Sequence, residues 1–347
     1  MRKGWKRMVC IALLFSCFLA ACSVEGEKKE DSGSQDEDKV RIGMTFDTFI
    51  LERWIRDRDV FVSMAQKLGA VVDVQNANGD VSKQKKHIQQ FMEEGVDVIV
   101  VIAVDSYELT EDVEKARDKG IKVMSYDRLV QGTKTDLFIT VDSKMVGVEM
   151  AEEMLERLPE GGDVVMICGP ETDANCTDMV EGFEETIAGS SLQVVRKTYA
   201  KSWTPEYGFQ AATEALSDVE HMDAVMCGND GLAGYAIRAL SERQLAGSTI
   251  VVGQDADLEA CQRVVEGTQT MTVYKPIEQL AKKAAECAVE LAKGGDPSQE
   301  GEVKATSDGL EVPYLGLAPV AVTAENMDEV IIESGFHLRD EVYLNVG

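Results

Sequence analysis

From residue 40 to about residue 275 the chain alternates short apolar runs with segments of helical period, and it does so in two series. The first has runs at 40–46, 71–75, 98–104 and 122–125, separated by helical segments at 52–68 and 81–94 and by a third that ends at Lys119 before Gly120. Residues 98–104 are apolar throughout, as in a strand buried on both faces of a parallel sheet. Segment 52–68 gathers Trp54, Phe61, Met64, Ala65 and Leu68 on one side. The second series sets helical segments 143–158, 177–188, 205–216 and 231–243 against runs at 163–167, 193–199, 224–227, 249–253 and 269–273. Repeated βα units need parallel sheets covered by helices on both faces, so two series predict two doubly wound α/β lobes. Ligands of such sheets bind outside the carboxyl ends of the strands, and facing lobes place that crevice between them.

The first forty residues set the compartment. Arg2, Lys3, Lys6 and Arg7 precede an uncharged apolar run from Met8 to Ala21. At 1.5 Å per residue that run reaches about 21 Å, short of a hydrocarbon core of about 30 Å, so it reads as a signal peptide over residues 1–21. It ends in Leu19-Ala20-Ala21-Cys22, which resembles the bacterial lipobox and marks Cys22 as the lipidated first residue of the mature chain. Two or three acyl chains exceed the one-chain limit for stable anchoring. Residues 22–39 are polar with a single valine and bury too little to order, so they form a tether. The expected location is extracytoplasmic, with the membrane reached only through the lipid.

The 300 or so residues that follow are enough for two domains. A net charge of −27 excludes nucleic acid and anionic lipid surfaces as partners, because both need basic patches. Of eight cysteines, Cys10, Cys17 and Cys22 belong to the leader. Cys168, Cys176, Cys227, Cys261 and Cys287 are odd in number and lack CxxC spacing, which argues for buried thiols over a zinc site or a disulfide framework. Cys168 and Cys176 flank one loop, where pairing is the alternative.

Polar residues at strand ends carry the chemistry. Asp127 and Arg128 follow run 122–125, Asn229 and Asp230 follow 224–227, Gln254 and Asp255 follow 249–253, and Lys275 follows 269–273. Asp173 and Asn175 lie in the loop after 163–167, and Arg53-Trp54 opens the first helix near Phe46-Asp47. Singly, a strand-end Asp or Asn is a helix cap. As a set converging on one crevice they suit a polyol: carboxylates and amides accept from hydroxyls, while Arg and Lys donate to hydroxyl oxygens. Trp54 and Trp203 supply flat apolar faces for the C–H faces of a sugar ring.

Enzyme readings find little support. The chain has no GxxxxGK[ST] loop and no GxSxG elbow. His87, His221 and His337 are far apart among surface-like residues, which suggests neither a triad nor a metal cluster. Gly228-Asn-Asp-Gly231-Leu-Ala-Gly234 lacks GxGxxG spacing. No cofactor or metal is expected.

Residues 40–337 resemble the D-xylose-binding proteins of bacterial ABC importers, within the ribose- and galactose-binding group of type I periplasmic binding proteins. The resemblance rests on Leu51-Glu-Arg-Trp-Ile-Arg-Asp-Arg-Asp59, Tyr126-Asp-Arg128, Gly253-Gln-Asp-Ala-Asp-Leu258 and Gly267-Thr-Gln-Thr-Met-Thr-Val-Tyr-Lys-Pro-Ile277. It implies two Rossmann-like lobes joined by three crossovers, the first over 40–142 and 276–315, the second over 143–275 and 316–347. It also implies sugar contacts at Arg53, Asp127, Arg128, Asn175, Asn229, Asp255 and Lys275, with Trp54 and Trp203 against the ring. Asp173, Phe46 and Asp47 carry over on stretches that match less well, since the loop 169–177 departs from the family pattern. The function implied is delivery of an aldopentose, D-xylose first, to an ABC permease. Glucose, ribose, arabinose and a furanosyl signal remain alternative ligands, and a sensor reporting to a histidine kinase or chemoreceptor is the alternative role.

Overall fold

The computed structural model describes residues 39–298 and 302–346, so the leader, Cys22 and the tether up to residue 38 lie outside the described residues. In chain order the first strands are β1 (Arg41–Phe46), β2 (Val71–Asn76), β3 (Val98–Val101), β4 (Lys122–Tyr126) and β5 (Leu137–Val141). Between them run α1 (Glu52–Lys67), α2 (Val81–Glu94) and α3 (Thr110–Asp118). The second group is β6 (Gly162–Cys168), β7 (Leu192–Tyr199), β8 (Ala224–Cys227), β9 (Ile250–Gln254) and β10 (Met271–Tyr274). Its helices are α4 (Ser143–Arg157), α5 (Ala174–Ile187), α6 (Glu206–Asp218), α7 (Asp230–Glu242) and α8 (Leu258–Glu266). The chain closes with α9 (Ile277–Ala292), β11 (Glu302–Ala305), β12 (Glu311–Leu317), β13 (Val320–Val322) and α10 (Arg339–Val342).

These strands build two sheets, ordered β11-β12-β5-β4-β3-β1-β2 and β13-β10-β9-β8-β6-β7. Pairing is parallel except where β11 meets β12 and β13 meets β10. Each sheet thus repeats one order, with β6 to β10 in the places of β1 to β5. Alternate residues of the central strands enter opposite layers, as the period of two requires. Val98 and Val100 pack with α1 and α9, while Ile99 and Val101 pack with α2 and α3. In the second sheet Val164, Met166 and Cys168 face α4 and α5, while Val165 and Ile167 face α6 and α7. The continuous apolar run at 98–104 therefore marks a strand covered on both faces, as expected.

Three differences from the sequence reading have physical causes. Strand β5 went unread because β4 and β5 are joined by a loop without a helix, which breaks the βα alternation. Helix α5 starts at Ala174, three residues before 177, because the Asp173 side chain accepts from Asn175 N and caps it there. Strand β12 stays in the first sheet to Leu317, two residues past the expected limit at 315, because its parallel pairing with β5 continues to Val141. The chain passes between sheets at three places: β5 to α4, β10 to α9, and β12 to β13.

Candidate functional site

All ten residues singled out at strand ends and helix starts line one cleft between the sheets: Arg53, Trp54, Asp127, Arg128, Asp173, Asn175, Trp203, Asn229, Asp255 and Lys275. Leu51 and Gln254 complete the lining. The first sheet's layer supplies Arg53 and Trp54 from α1, and Asp127 and Arg128 from the end of β4. The second supplies Asp173 and Asn175 at the start of α5, Asn229 before α7, Asp255 after β9 and Lys275 after β10.

The polar groups pair both within each lobe and across the cleft. Arg128 Nε lies 2.7 Å from Asp173 Oδ2, and its Nη1 reaches Asp47 Oδ2 at 2.6 Å and Ala103 O at 2.8 Å. Arg53 Nη2 lies 2.8 Å from Asp127 Oδ2, and its Nη1 is 3.9 Å from Asp255 Oδ1 on the other side. Asn175 Nδ2 donates to Asp127 Oδ1 at 2.8 Å, and Lys275 Nζ sits 3.0 Å from Asp255 Oδ1. The alternative between cap and site is not exclusive. Asp173 caps α5 with Oδ1 and offers Oδ2 to Arg128 and, at 3.0 Å, to Trp203 Nε1. Asn229 caps α7 through Oδ1, 2.9 Å from Leu232 N.

The two tryptophans differ in setting. Trp54 is fully buried, with the Arg53 guanidinium 4.3 Å and that of Arg128 5.7 Å from its ring centroid, an arrangement with cation–π character. Among the described residues its Nε1 has no hydrogen-bond partner. Trp203 lies over Gly169, where a Cβ would come within 2.2 Å of the indole ring, so only glycine lets the ring seat. Phe46 stands behind the cleft, its ring centroid 6.0 Å from that of Trp54, while Asp47 enters through its pair with Arg128.

Burial alone would raise Asp127, but Arg53, Lys275 and Arg128 together hold its carboxyl below the usual range. Asp47 goes the other way: burial outweighs Arg128, and its pKa is raised. Both guanidiniums stay charged, since the carboxylates around Arg53 and Arg128 more than offset burial. Five carboxylates (Asp47, Asp57, Asp127, Asp173, Asp255) thus surround three cations (Arg53, Arg128, Lys275). The lining itself presents three carboxylates (Asp127, Asp173, Asp255) paired with three cations (Arg53, Arg128, Lys275). Such paired donors and acceptors can hydrogen-bond hydroxyls. These side chains leave a cavity of ≈ 20 Å³, about the room of one water.

Sequence reasoning missed Leu51 and Asp57, and it noted Gln254 at its strand end without assigning it a contact. Gln254 ends β9, and its amide donates to Gly228 O at 2.6 Å. Asp57 stood four residues after Arg53 on one helix face, the spacing at which opposite charges meet. The histidines need correction. His87 and His337 are buried, because each ring has a polar partner inside: Nδ1 of His87 lies 3.0 Å from Thr45 Oγ1, and Nε2 of His337 lies 2.8 Å from Ala256 O. Only His221 is on the surface as expected. Cys168 and Cys176 are buried free thiols, and burial raises both pKa values.

Residues 42–296 match the family model described as a periplasmic binding protein domain. The D-xylose-binding periplasmic protein of Haemophilus influenzae is 39% identical over 90% of this chain and 95% of its own length. That of Escherichia coli is 38% identical over 88% and 93%. Among solved structures, an ABC transporter solute-binding protein from Clostridium phytofermentans with bound β-D-glucose superposes with a TM-score of 0.78 at 25% identity, covering 87% of this chain and 99% of its own. The fold, the cleft and these likenesses agree: the chain belongs to the type I periplasmic sugar-binding family.

Proposed function

We propose that the protein is an extracytoplasmic receptor that clamps an aldopentose, D-xylose first, between its two lobes and presents it to an ABC permease. The observation that carries this reading is the set of polar contacts spanning the cleft, Arg128 with Asp173, Arg53 with Asp255 and Asn175 with Asp127. Each partner is a strong hydrogen-bonding group for a hydroxyl, and the pairs span both lobes, so a sugar bonded to them is held fully only on closure. Each cation of the lining already pairs with a carboxylate, which leaves none to hold the anion of a sugar acid or a sugar phosphate and favours neutral sugars. D-xylose takes first place because two relatives at 38–39% identity bear that ligand in their names.

The test is a thermal-shift panel on the purified protein with D-xylose, D-ribose, L-arabinose, D-glucose and xylose phosphate. A ligand at 100 times its Kd stabilises the native state by about 2.7 kcal/mol, so xylose at that excess raises the melting temperature and is recovered unconsumed. A shift with another sugar and none with xylose would move the assignment to that sugar. Anchoring through Cys22 is part of the same proposal, supported by the basic, apolar and lipobox order of residues 1–22. Cys22→Ala is expected to abolish lipid labelling and leader cleavage, and a variant still labelled and cut would remove the anchor.

A further inference from the structure

Behind the cleft, under Arg53, lies a carboxylate that faces no solvent and lines no cavity. Asp57 is one turn along α1, fully buried, with Oδ2 at 3.3 Å from Arg53 Nε. Its other oxygen accepts a short hydrogen bond from the hydroxyl of Tyr126, itself fully buried at the end of β4. Arg53 is thus gripped from behind at Nε, while Nη1 and Nη2 point to Asp255 and Asp127. An isolated arginine side chain carries about 2 kcal/mol of rotamer entropy. Fixing Nε removes much of that freedom before any ligand arrives, which is how preorganisation raises affinity.

Resting on the sugar-binding reading above, we propose that Asp57, held in turn by Tyr126, is the positioning residue that aims the Arg53 guanidinium into the cleft and so sets sugar affinity without touching the sugar.

The charged state of Asp57 matters to this role. Burial pushes its carboxyl up to about 6, against the pull of Arg53 and of the Tyr126 hydroxyl, and Asp127 adds to the rise. Those are the charged and titratable groups that face it from α1, from β4 and from the loop after β4. The residues of α9 that pack against α1 in the same core, among them Leu280, Ala281 and Ala284, are apolar. Below pH 6 the protonated acid can still accept from Arg53 Nε, but the ion pair is lost and the grip weakens. The guanidinium then has to be ordered by the sugar itself.

The experiment is calorimetry of the full chain with D-xylose between pH 5 and pH 8, for the wild type, Asp57→Asn and Tyr126→Phe. Asp57→Asn is expected to bind about tenfold more weakly at pH 7, because a neutral amide replaces the carboxylate of the Arg53 ion pair, and to lose part of the fall in affinity toward pH 5. Tyr126→Phe removes a donor that lowers the Asp57 pKa, so the midpoint of that fall is expected at a higher pH than in the wild type. Asp47 and Asp230 titrate in all three proteins, so the readout is the difference between profiles. Wild-type affinity in Asp57→Asn, or one shared profile for all three, overturns the inference. If Asp57→Asn does not fold, the Tyr126→Phe midpoint decides alone. A wild type that binds no sugar at any pH would instead strike the sugar-binding reading, and this inference with it.

Discussion

Asp127 and Asp255 are counterparts in the two lobes. Each follows the fourth strand of its series, β4 or β9, and each is held with positive φ, 64° and 100°. Each donates its backbone N–H to the next strand, to Ile139 O at 2.8 Å and to Val273 O at 2.9 Å. Both carboxylates then lie near Arg53. Positive φ is uncommon for residues other than glycine, though aspartate and asparagine enter it several-fold more readily than most. The same backbone kink, made twice, delivers a carboxylate from either side onto one guanidinium.

This relationship separates charge from backbone at Asp255. Asp255→Asn keeps a residue tolerant of positive φ but leaves Lys275 without its partner. Binding is expected to weaken by about 2–5 kcal/mol, roughly 30-fold to several-thousand-fold, at near wild-type melting temperature. Asp255→Ala loses the charge too and adds about 1–2 kcal/mol of backbone strain, so it should melt below the Asn variant. Arg128→Ala is expected to match the Asn variant in affinity, since it strands Asp47 and Asp173. Calorimetry with thermal unfolding checks both, and near-normal affinity in all three would move the site elsewhere.

Trp203 contributes a ring and a donor, and the two can be told apart. Trp203→Phe keeps an aromatic face but removes the N–H that holds Asp173 Oδ2 at 3.0 Å. Its affinity should fall between those of the wild type and Trp203→Ala. Gly169→Ala puts a methyl into the indole, 2.2 Å from a ring carbon, and is expected to displace Trp203 and weaken binding at least as much as Trp203→Phe. Quenching of tryptophan fluorescence by acrylamide gives an independent readout of the displaced ring.

The β-runs, the two-lobe organisation and the ten cleft residues were legible because each signal is local. An apolar run with a polar residue at its carboxyl end is visible in one dimension. What escaped depends on distance in the fold. Asp47 reaches Arg128 across 81 positions, and the hydroxyl of Tyr126 reaches Asp57 across 69. His337 looked like a surface residue until Ala256 O was set against its ring. Strand β5 was invisible for the opposite reason, since a strand joined to its neighbour by a plain loop breaks the rhythm that revealed the others.

Stability should depend on pH through Asp230. It opens α7 fully buried, accepting from Gln269 Nε2 at 2.8 Å and Thr272 Oγ1 at 2.7 Å. Burial pushes its carboxyl up to about 7, with Asp255 adding and Arg263 opposing. Its value in the unfolded chain is near 3.8, so between about pH 4 and pH 7 the folded state binds more protons than the unfolded one. Stability from this group is therefore greatest at the acid end and is lost as pH rises toward 7. Asp57 and Asp47 act in the same direction, while the depressed Asp127 acts oppositely. Urea unfolding of the wild type and Asp230→Asn at pH 5, 6, 7 and 8 isolates the Asp230 share. The wild type is expected to lose stability relative to the variant across that range, and parallel curves would refute the assignment.

A contact outside the cleft also joins the lobes, and under the proposed clamp it should bear on affinity without bearing on selectivity. Arg56, on α1, donates from Nη1 to Phe336 O at 2.7 Å and lies 4.2 Å over the Phe336 ring. Phe336 packs with Ala256, Cys261 and Val264 in the second lobe, whereas α1 belongs to the first. Arg56 therefore ties the lobes together but lines no part of the cleft. A contact made only in the closed form raises the closed fraction, and apparent affinity scales with that fraction. Arg56→Ala removes one hydrogen bond and one cation–π contact, together about 1–2 kcal/mol, and should weaken every sugar by roughly the same 5- to 30-fold factor. Variants of Arg53, which lines the cleft, should instead change the order in which sugars are preferred. Small-angle scattering adds the structural half of the test: Arg56→Ala with saturating sugar should compact as the wild type does, and need more sugar to do so. Unaltered affinity in Arg56→Ala, or a changed sugar order, would show that this contact does not govern closure.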